Sequence, residues 1–227
     1  MKVKKMLLLS VLIVNLLMVT GVFNVHGRGN NQEELPAEAL MVAKSRLNEF
    51  VDLLIKEGEE VNVSKEEFIS GCRLNYSYKV VNVNWLSYRK KGIMKLLCPP
   101  FGCKECLGII VSYRGESIGS VEVAKNRNGE WTIFGYDIYD KVKRSSVDSL
   151  FAGYPDDKGY KIYKQRHGDV YFVANSRNKI IDIVSIPSDD YGRMVHHEPS
   201  SFVLEMKKKL QEHMKKHDFP GADMSSE

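Results

Sequence analysis

Four cysteines are the residues of this chain whose type and spacing are best suited to chemistry. Cys72, Cys98, Cys103 and Cys106 are its only cysteines, and all lie in one short part of the 227-residue sequence. In an exported protein, an even number of closely grouped cysteines predicts two disulfide bonds. A Cys103–Cys106 bridge would close a strained ring. We therefore expect one of the other two pairings, each of which fixes the Pro-Pro-Phe-Gly loop of residues 99–102 to neighbouring strands.

The same cysteines leave two other kinds of site open. The Cys-Lys-Glu-Cys spacing of Cys103 and Cys106 is that of thiol oxidoreductases, which place it at the start of a helix. Here a strand-like apolar run, residues 107–113, follows instead. The two thiols also resemble one half of a four-thiolate zinc site, but Cys72 and Cys98 are too far apart in sequence to form the second half. Metal-binding and redox-active thiols remain alternatives to disulfides, and we expect no bound metal or cofactor.

Histidine and acidic residues give no catalytic motif. His213 and His217 have helical i, i+4 spacing, but the glutamate of the H-E-x-x-H zinc motif is missing. His196 and His197 lie in a predicted loop, where solvation is the simplest interpretation. Glycine-rich phosphate-binding motifs are absent from the sequence. The sequence therefore predicts no catalytic residue.

Tyrosine is abundant, with 11 residues. Tyr76, Tyr78 and Tyr113 lie in or beside predicted strands, and tyrosine is favoured in recognition surfaces. We expect these three to contribute to a binding patch on the sheet. The partner would be a macromolecule, either a protein or a cell-surface polymer.

The N-terminal segment predicts export. Lys2, Lys4 and Lys5 precede an almost wholly apolar run, residues 6–19, and small residues follow up to Gly27. This order is typical of a secretory signal peptide. An uncleaved membrane anchor is the alternative, because residues 6–25 are just long enough to span a bilayer. We expect the mature protein to be secreted and extracellular.

Export also changes the interpretation of charge. The chain carries a formal charge of +4, and removal of the three N-terminal lysines leaves a mature protein of about +1. A nucleic-acid-binding domain should be more basic than this, so no nucleic-acid partner is expected. Lysines are concentrated only around the apolar stripe of the last helix, which contains Val203, Met206, Leu210 and Met214. Contact of this helix with an anionic membrane is possible, but docking on the protein's own sheet is favoured.

Apolar periodicity predicts an α+β fold. Residues 36–58 have the three- and four-residue spacing of one long amphipathic helix, and residues 74–138 have the period-two pattern of an antiparallel meander. A short helix over 140–151, further strands over 160–186 and a C-terminal helix over 200–216 follow. The long helix can bury its apolar stripe only by packing on the sheet.

Two local signals refine the strands. Leu74 to Val80 alternate in one phase and Val81 to Trp85 in the opposite phase, which predicts a bulge between Val80 and Val81. Asn128-Gly129 is a strong signal for a tight hairpin between two strands.

The predicted domain organisation follows from these segments. We expect a signal peptide over 1–27, a tether over 28–35, a single α+β domain over 36–198, a C-terminal helix over 199–217 and a disordered tail over 218–227. The element order of residues 36–138 resembles cystatin-like and nuclear-transport-factor-like domains of exported bacterial proteins, in which a curved sheet wraps an N-terminal helix. The Q-x-V-x-G inhibitory loop of cystatins is absent, so the resemblance implies a fold and no activity.

The functional expectation is a non-enzymatic binding or interaction module at the cell surface. The alternative is a secreted enzyme, or a thiol redox or zinc protein, that uses Cys103 and Cys106.

Overall fold

The structure is a computed structural model that describes residues 35–59, 61–88, 92–186 and 193–216. The predicted signal peptide, the tether up to residue 34 and the predicted tail lie outside the described residues. The helices, strands and side-chain contacts of the fold all lie in these described residues.

The chain forms a mixed nine-stranded sheet with helices on both faces, which confirms the α+β class. The helices are α1 Ala37–Ser45, α2 Leu47–Lys56, α3 Lys65–Gly71, α4 Lys141–Gly153 and α5 Pro199–Lys216. The strands are β1 Cys72–Val83, β2 Leu97–Cys98, β3 Glu105–Tyr113, β4 Glu116–Lys125, β5 Trp131–Ile138, β6 Lys161–Gln165, β7 Val170–Ala174, β8 Ile180–Ser185 and β9 Val195–His197.

The strand order is β5-β4-β3-β1-β6-β7-β8-β9, with β2 paired to β1 outside this path. Strands β1, β3, β4 and β5 are antiparallel neighbours, as the period-two pattern predicts. Strand β6 pairs in parallel with β1, with Lys79 opposite Tyr163. Because a parallel neighbour needs a crossover connection, the chain returns to β1 through α4. Strands β6 to β9 therefore continue the sheet that β1 to β5 begin, and the chain does not form a meander followed by a separate group of strands.

Two helices replace the single long N-terminal helix of the prediction. At Arg46 the backbone leaves the helical region, with φ −106° and ψ 5°. The predicted stripe is nevertheless buried on the sheet through Ala43, Leu47, Phe50 and Leu54, whereas Ile55 is exposed. These side chains cover the β3-β4-β5 part of one face, which we call the first face.

The C-terminal helix α5 lies further along the same face of the sheet. Val203 is fully buried, and Phe202, Met206 and Leu210 pack around it. The ring of Phe202 is 6.0 Å from that of Trp85, centroid to centroid. The apolar stripe of α5 is therefore docked on the protein itself, which is the arrangement favoured from the sequence.

Helix α4 covers the opposite face, which we call the second face. Asp140 caps the helix by accepting a hydrogen bond from the backbone N–H of Lys143 at 2.7 Å. Val147, Leu150 and Phe151 then pack into the core of that face.

Several local predictions need correction. The irregularity in β1 lies between Leu74 and Ser77, so the bulge predicted at Val80 and Val81 is wrong. Those two valines are both buried because they enter cores on opposite faces of the sheet. Residues 93–98 fall within the predicted meander, but they begin with a 3₁₀ turn, Ile93–Leu96, and only Leu97–Cys98 forms a strand, β2.

Candidate functional site

The cysteines do not form the predicted disulfides. All four are described, and all four are free thiols. Cys72 lies at the start of β1, opposite Tyr113 of β3 in the strand pairing. Cys98 of β2 lies opposite Asn82, which is ten residues further along β1 than Cys72. That separation is roughly 33 Å in an extended strand, and a disulfide needs Cα atoms within about 7 Å. The sequence shows the number and spacing of the thiols but not the register that separates them.

Cys106 is also too far from Cys72 to pair with it. It lies on β3, seven positions from Tyr113, which is roughly 23 Å along the strand. Cys103 precedes Cys106 on the side of β3 away from Tyr113, so it also lies at the other end of β1 from Cys72. The two predicted disulfides are therefore not formed in this structure.

The other three cysteines gather at the far end of β1. Cys98 and Cys106 line the same cavity, and Cys103 packs beside the core that contains Cys106. Burial raises the pKa of the Cys106 thiol, and the nearby Glu122 carboxylate raises it further. Cys106 is thus a buried, protonated thiol, and it lies in a strand instead of at a helix N-terminus.

The three tyrosines proposed as one binding patch are not brought together. Tyr78 is buried in the core of the second face, and its hydroxyl is 2.7 Å from that of Ser120. Tyr113 packs on the first face, where its ring stacks on Phe68 at 4.0 Å. Only Tyr76 is well exposed. The patch does not form because Tyr78 lies beneath α4 on the second face, whereas Tyr113 lies on the first face.

A cavity of about 260 Å³ lies beside the loop of residues 99–102. Val81, Met94, Leu97, Pro99 and Tyr163 give it a largely apolar lining. We call it the loop pocket. It is bounded by β1 and β6 on one side and by the segment around β2 on the other.

Charged side chains surround this apolar lining. Among the described residues that line the loop pocket, Lys79, Lys104 and Lys125 are basic, and Glu105 is acidic. Glu105 forms an ion pair with Lys79 at 3.5 Å. Lys125 lies over the ring of Trp131 at 5.6 Å. With three cations and one acid, the rim carries a net positive charge.

Phe101 projects from the turn next to the loop pocket. The backbone N–H of Cys103 donates to the carbonyl of Pro100 at 3.1 Å, which closes a β-turn, and Gly102 adopts the φ of +86° that such a turn needs. Pro100 is buried and holds the turn in place. Phe101 at the tip is 90% exposed. The turn therefore presents an aromatic side chain to solvent on a constrained backbone, and we call it the Phe101 turn.

Two histidines are paired, contrary to the solvated loop predicted for them. His196 Nδ1 is 2.6 Å from Asp182 Oδ2, and His197 Nε2 is 2.8 Å from Ser185 Oγ. The residues alternate along β9, so the two pairs lie on opposite faces of the sheet and do not combine into one site. The alternation of β9 is too short to identify from sequence.

The described residues show neither a group of metal ligands nor a helix that could span a membrane. Among the described residues, no three His, Cys, Asp or Glu side chains are grouped as metal ligands. Of the helices described, none has the length and apolar character needed to cross a membrane.

The chain was also compared with known proteins. No protein-family model, curated protein or solved structure matches it. The resemblance to cystatin-like and nuclear-transport-factor-like domains therefore stays a prediction.

Proposed function

We propose that this chain is an exported, non-enzymatic binding module that contacts a negatively charged macromolecule at the cell surface. The contact surface is the Phe101 turn together with the loop pocket. This proposal keeps the function predicted from sequence and replaces the disulfide-fixed loop and the tyrosine patch with a defined surface.

The exposure of Phe101 is the observation that carries the proposal. An aromatic side chain left in water gives up the free energy of burial, about 1.5–3 kcal/mol for a phenylalanine. A partner that covers Phe101 would recover this energy. Because the β-turn already fixes the backbone, little conformational entropy would be lost on binding. Buried aromatic anchors of this kind often dominate the energetics of an interface.

The lysine rim supports an anionic partner. Lys104 and Lys125 lie beside apolar surface, so a partner with acidic groups next to an apolar group would satisfy both features. Exposed charges act mainly on association rate and specificity, and salt weakens them. Binding should therefore decrease as ionic strength rises.

The thiol enzyme or zinc protein is the alternative function, and the geometry gives it less support. A reactive cysteine needs an accessible thiol with a lowered pKa. Cys106 is buried and its pKa is raised. Cys103 remains partly accessible but has no second accessible thiol within its motif.

Binding of the labelled mature protein to washed cells of the producing organism tests the proposal. Phe101→Ser should lower the affinity by more than about tenfold, the effect of losing a buried aromatic anchor. Met41→Ser is the matched control, because Met41 is also a large exposed apolar side chain, 65% accessible, on a different part of the molecule. Lys104→Glu should weaken binding, whereas Lys208→Glu on the exposed surface of α5 should not.

Unchanged binding of Phe101→Ser would show that the Phe101 turn is not the contact surface. Turnover of a substrate, lost on replacement of Cys103 and retained in Phe101→Ser, would favour the enzyme alternative.

A further inference from the structure

The loop pocket has an apolar interior of definite size. Val81 and Tyr163 are buried members of the core on which α5 docks, and Met94 and Leu97 pack against the same core. An apolar cavity of about 150 Å³ holds one benzene molecule. The loop pocket, at about 260 Å³, therefore has room for roughly ten carbon atoms.

Two lysines at the rim of this pocket can meet an anion from outside. The backbone N–H of Lys104 donates to the carbonyl of Lys125 at 2.8 Å, so the two side chains start from adjacent points of the rim. Within the described part of the chain neither lysine forms an ion pair, because the pocket's acid, Glu105, is paired with Lys79. Lys104 is exposed, and Lys125 lies over the ring of Trp131. The two ammonium groups are therefore cations without a matching carboxylate.

An apolar cavity with cations at its mouth is complementary to an amphiphilic anion. The apolar interior favours a hydrocarbon chain, and the two lysines favour a negative head group. Glu105 lies at the same rim and opposes a head group that carries more than one negative charge. Charge and volume together select a singly charged head group on a chain of up to about ten carbons.

We propose that the loop pocket binds a free medium-chain fatty acid of about eight to ten carbons, with the chain in the apolar interior and the carboxylate at Lys104 and Lys125. This inference rests on the proposed function, since it names the ligand of a pocket that belongs to the same contact surface. A bound fatty acid would compete with the cell-surface partner for that pocket.

Isothermal titration of the mature protein with saturated fatty acids tests the site, with each ligand kept below its micelle concentration. The affinity should rise about fourfold for each added CH₂ group from hexanoate to decanoate, the effect of burying one methylene. Tetradecanoate should gain little more, because the added carbons extend out of the pocket into water. Decylammonium should bind at least about tenfold more weakly than decanoate, since its charge repels the lysines.

Variants and a thiol readout locate the bound ligand. Lys104→Met and Lys125→Met should each weaken decanoate binding about two- to fivefold, the effect of losing one exposed ion pair. Lys208→Met combined with Lys209→Met removes two charges from the exposed surface of α5 and should leave binding unchanged. Cys98 lines the pocket and is exposed, so saturating decanoate should slow its reaction with a thiol reagent.

Absence of decanoate binding would overturn the inference, as would equal affinity for decanoate and decylammonium or an unchanged affinity when both rim lysines are replaced. Phe101→Ser should retain decanoate binding, because Phe101 is not among the described residues that line the pocket. Decanoate binding together with cell binding that is unchanged in Phe101→Ser would overturn the proposed function alone. Cell binding that requires Phe101, without any decanoate binding, would overturn the fatty-acid site alone.

Discussion

Lys164 on β6 and Asp137 on β5 are 2.5 Å apart, measured from Nζ to Oδ2, although three strands lie between theirs in the sheet. In a flat sheet those two strands would be roughly 19 Å apart. The sheet must therefore curl toward its second face. The ion pair joins the two sides of that curl and encloses Tyr78 and Tyr171 beneath it.

Loss of this ion pair should destabilise the fold strongly. Asp137→Leu leaves Lys164 and Lys143 without their shared carboxylate, and removing one partner of a buried pair costs about 3–5 kcal/mol. We expect the free energy of unfolding, measured by urea denaturation, to fall by that order. An unchanged value would mean that the pair does not maintain the curl.

An exposed ion pair and a double variant provide the controls. Glu212→Gln removes the surface pair with Lys208 and should change stability by less than about 0.5 kcal/mol. Lys164→Met combined with Asp137→Leu should be more stable than the sum of the single changes, because no lone buried charge from the pair remains.

Gly108 lies directly against the ring of Tyr78, so Gly108→Ala should be poorly tolerated. A Cβ atom at position 108 would lie 2.2 Å from the Tyr78 ring, which is buried against the strand. We expect a loss of about 1–3 kcal/mol, typical of overpacking, measured by thermal or urea unfolding. Gly153→Ala is the control, because nothing lies within 4 Å of that added atom. Equal stability of the two variants would contradict the predicted overlap.

The features predicted correctly from sequence are set by residues that are close to one another in the sequence. The Asn128-Gly129 turn joins β4 and β5 as expected, and Gly129 has a φ of +93°. The apolar stripes of α2 and α5 also face the sheet, because helical spacing alone selects their buried sides. The residues of the turn and the spacing of apolar residues were sufficient to predict these elements.

The candidate sites depend on distant pairings and could not be predicted in the same way. Lys79 and Lys125 reach one pocket only because β1, β3 and β4 align in a particular register. Lys164 and Asp137 are 27 positions apart, and the parallel pairing of β6 with β1 has no signal in the local pattern. Composition indicated disulfides, but the register of β1 placed Cys72 out of reach.

The stability of the Glu122→Gln variant should depend on pH in a defined direction. Burial raises the pKa of Glu122 above its usual value of 4.5. The folded state therefore holds this proton more tightly than the unfolded state does. The resulting stabilisation is present below the unfolded pKa and is lost as pH rises through the folded pKa. The melting temperature of Glu122→Gln relative to wild type should increase from about pH 4 to about pH 7.

Glu59 supplies the opposite control. Hydrogen bonds from Arg144, at 2.9 and 2.7 Å, lower the pKa of Glu59. Its stabilisation is present above the unfolded pKa and is lost as pH falls through the folded pKa. Glu59→Gln should be less stable than wild type at neutral pH, and the difference should close on acidification. If the stability of both variants relative to wild type changed with pH in the same direction, the opposite pKa shifts of Glu122 and Glu59 would be contradicted.

Thiol reactivity should separate the cysteines by exposure. Cys98 is exposed and should react rapidly with a thiol reagent at neutral pH. Cys72 and Cys106 are buried, and burial raises the pKa of Cys72 to about 11, so both should react only when the protein unfolds. Cys98→Ser should remove the fast phase and Cys72→Ser should not. A native protein without any titratable thiol would restore the disulfide prediction.

Neighbouring positions on α5 should distinguish docking of this helix from membrane contact. Val203 is fully buried beside Phe202 and Met206, whereas Leu204 is half exposed on the next position of the helix. Val203→Ala should lower the free energy of unfolding by about 1–3 kcal/mol, because it removes buried methyl groups and leaves a cavity. Leu204→Ala should change it by less than about 0.5 kcal/mol. Neither change should alter co-sedimentation with anionic vesicles. Loss of vesicle binding in Leu204→Ala with unchanged stability would show that α5 presents a membrane-binding surface.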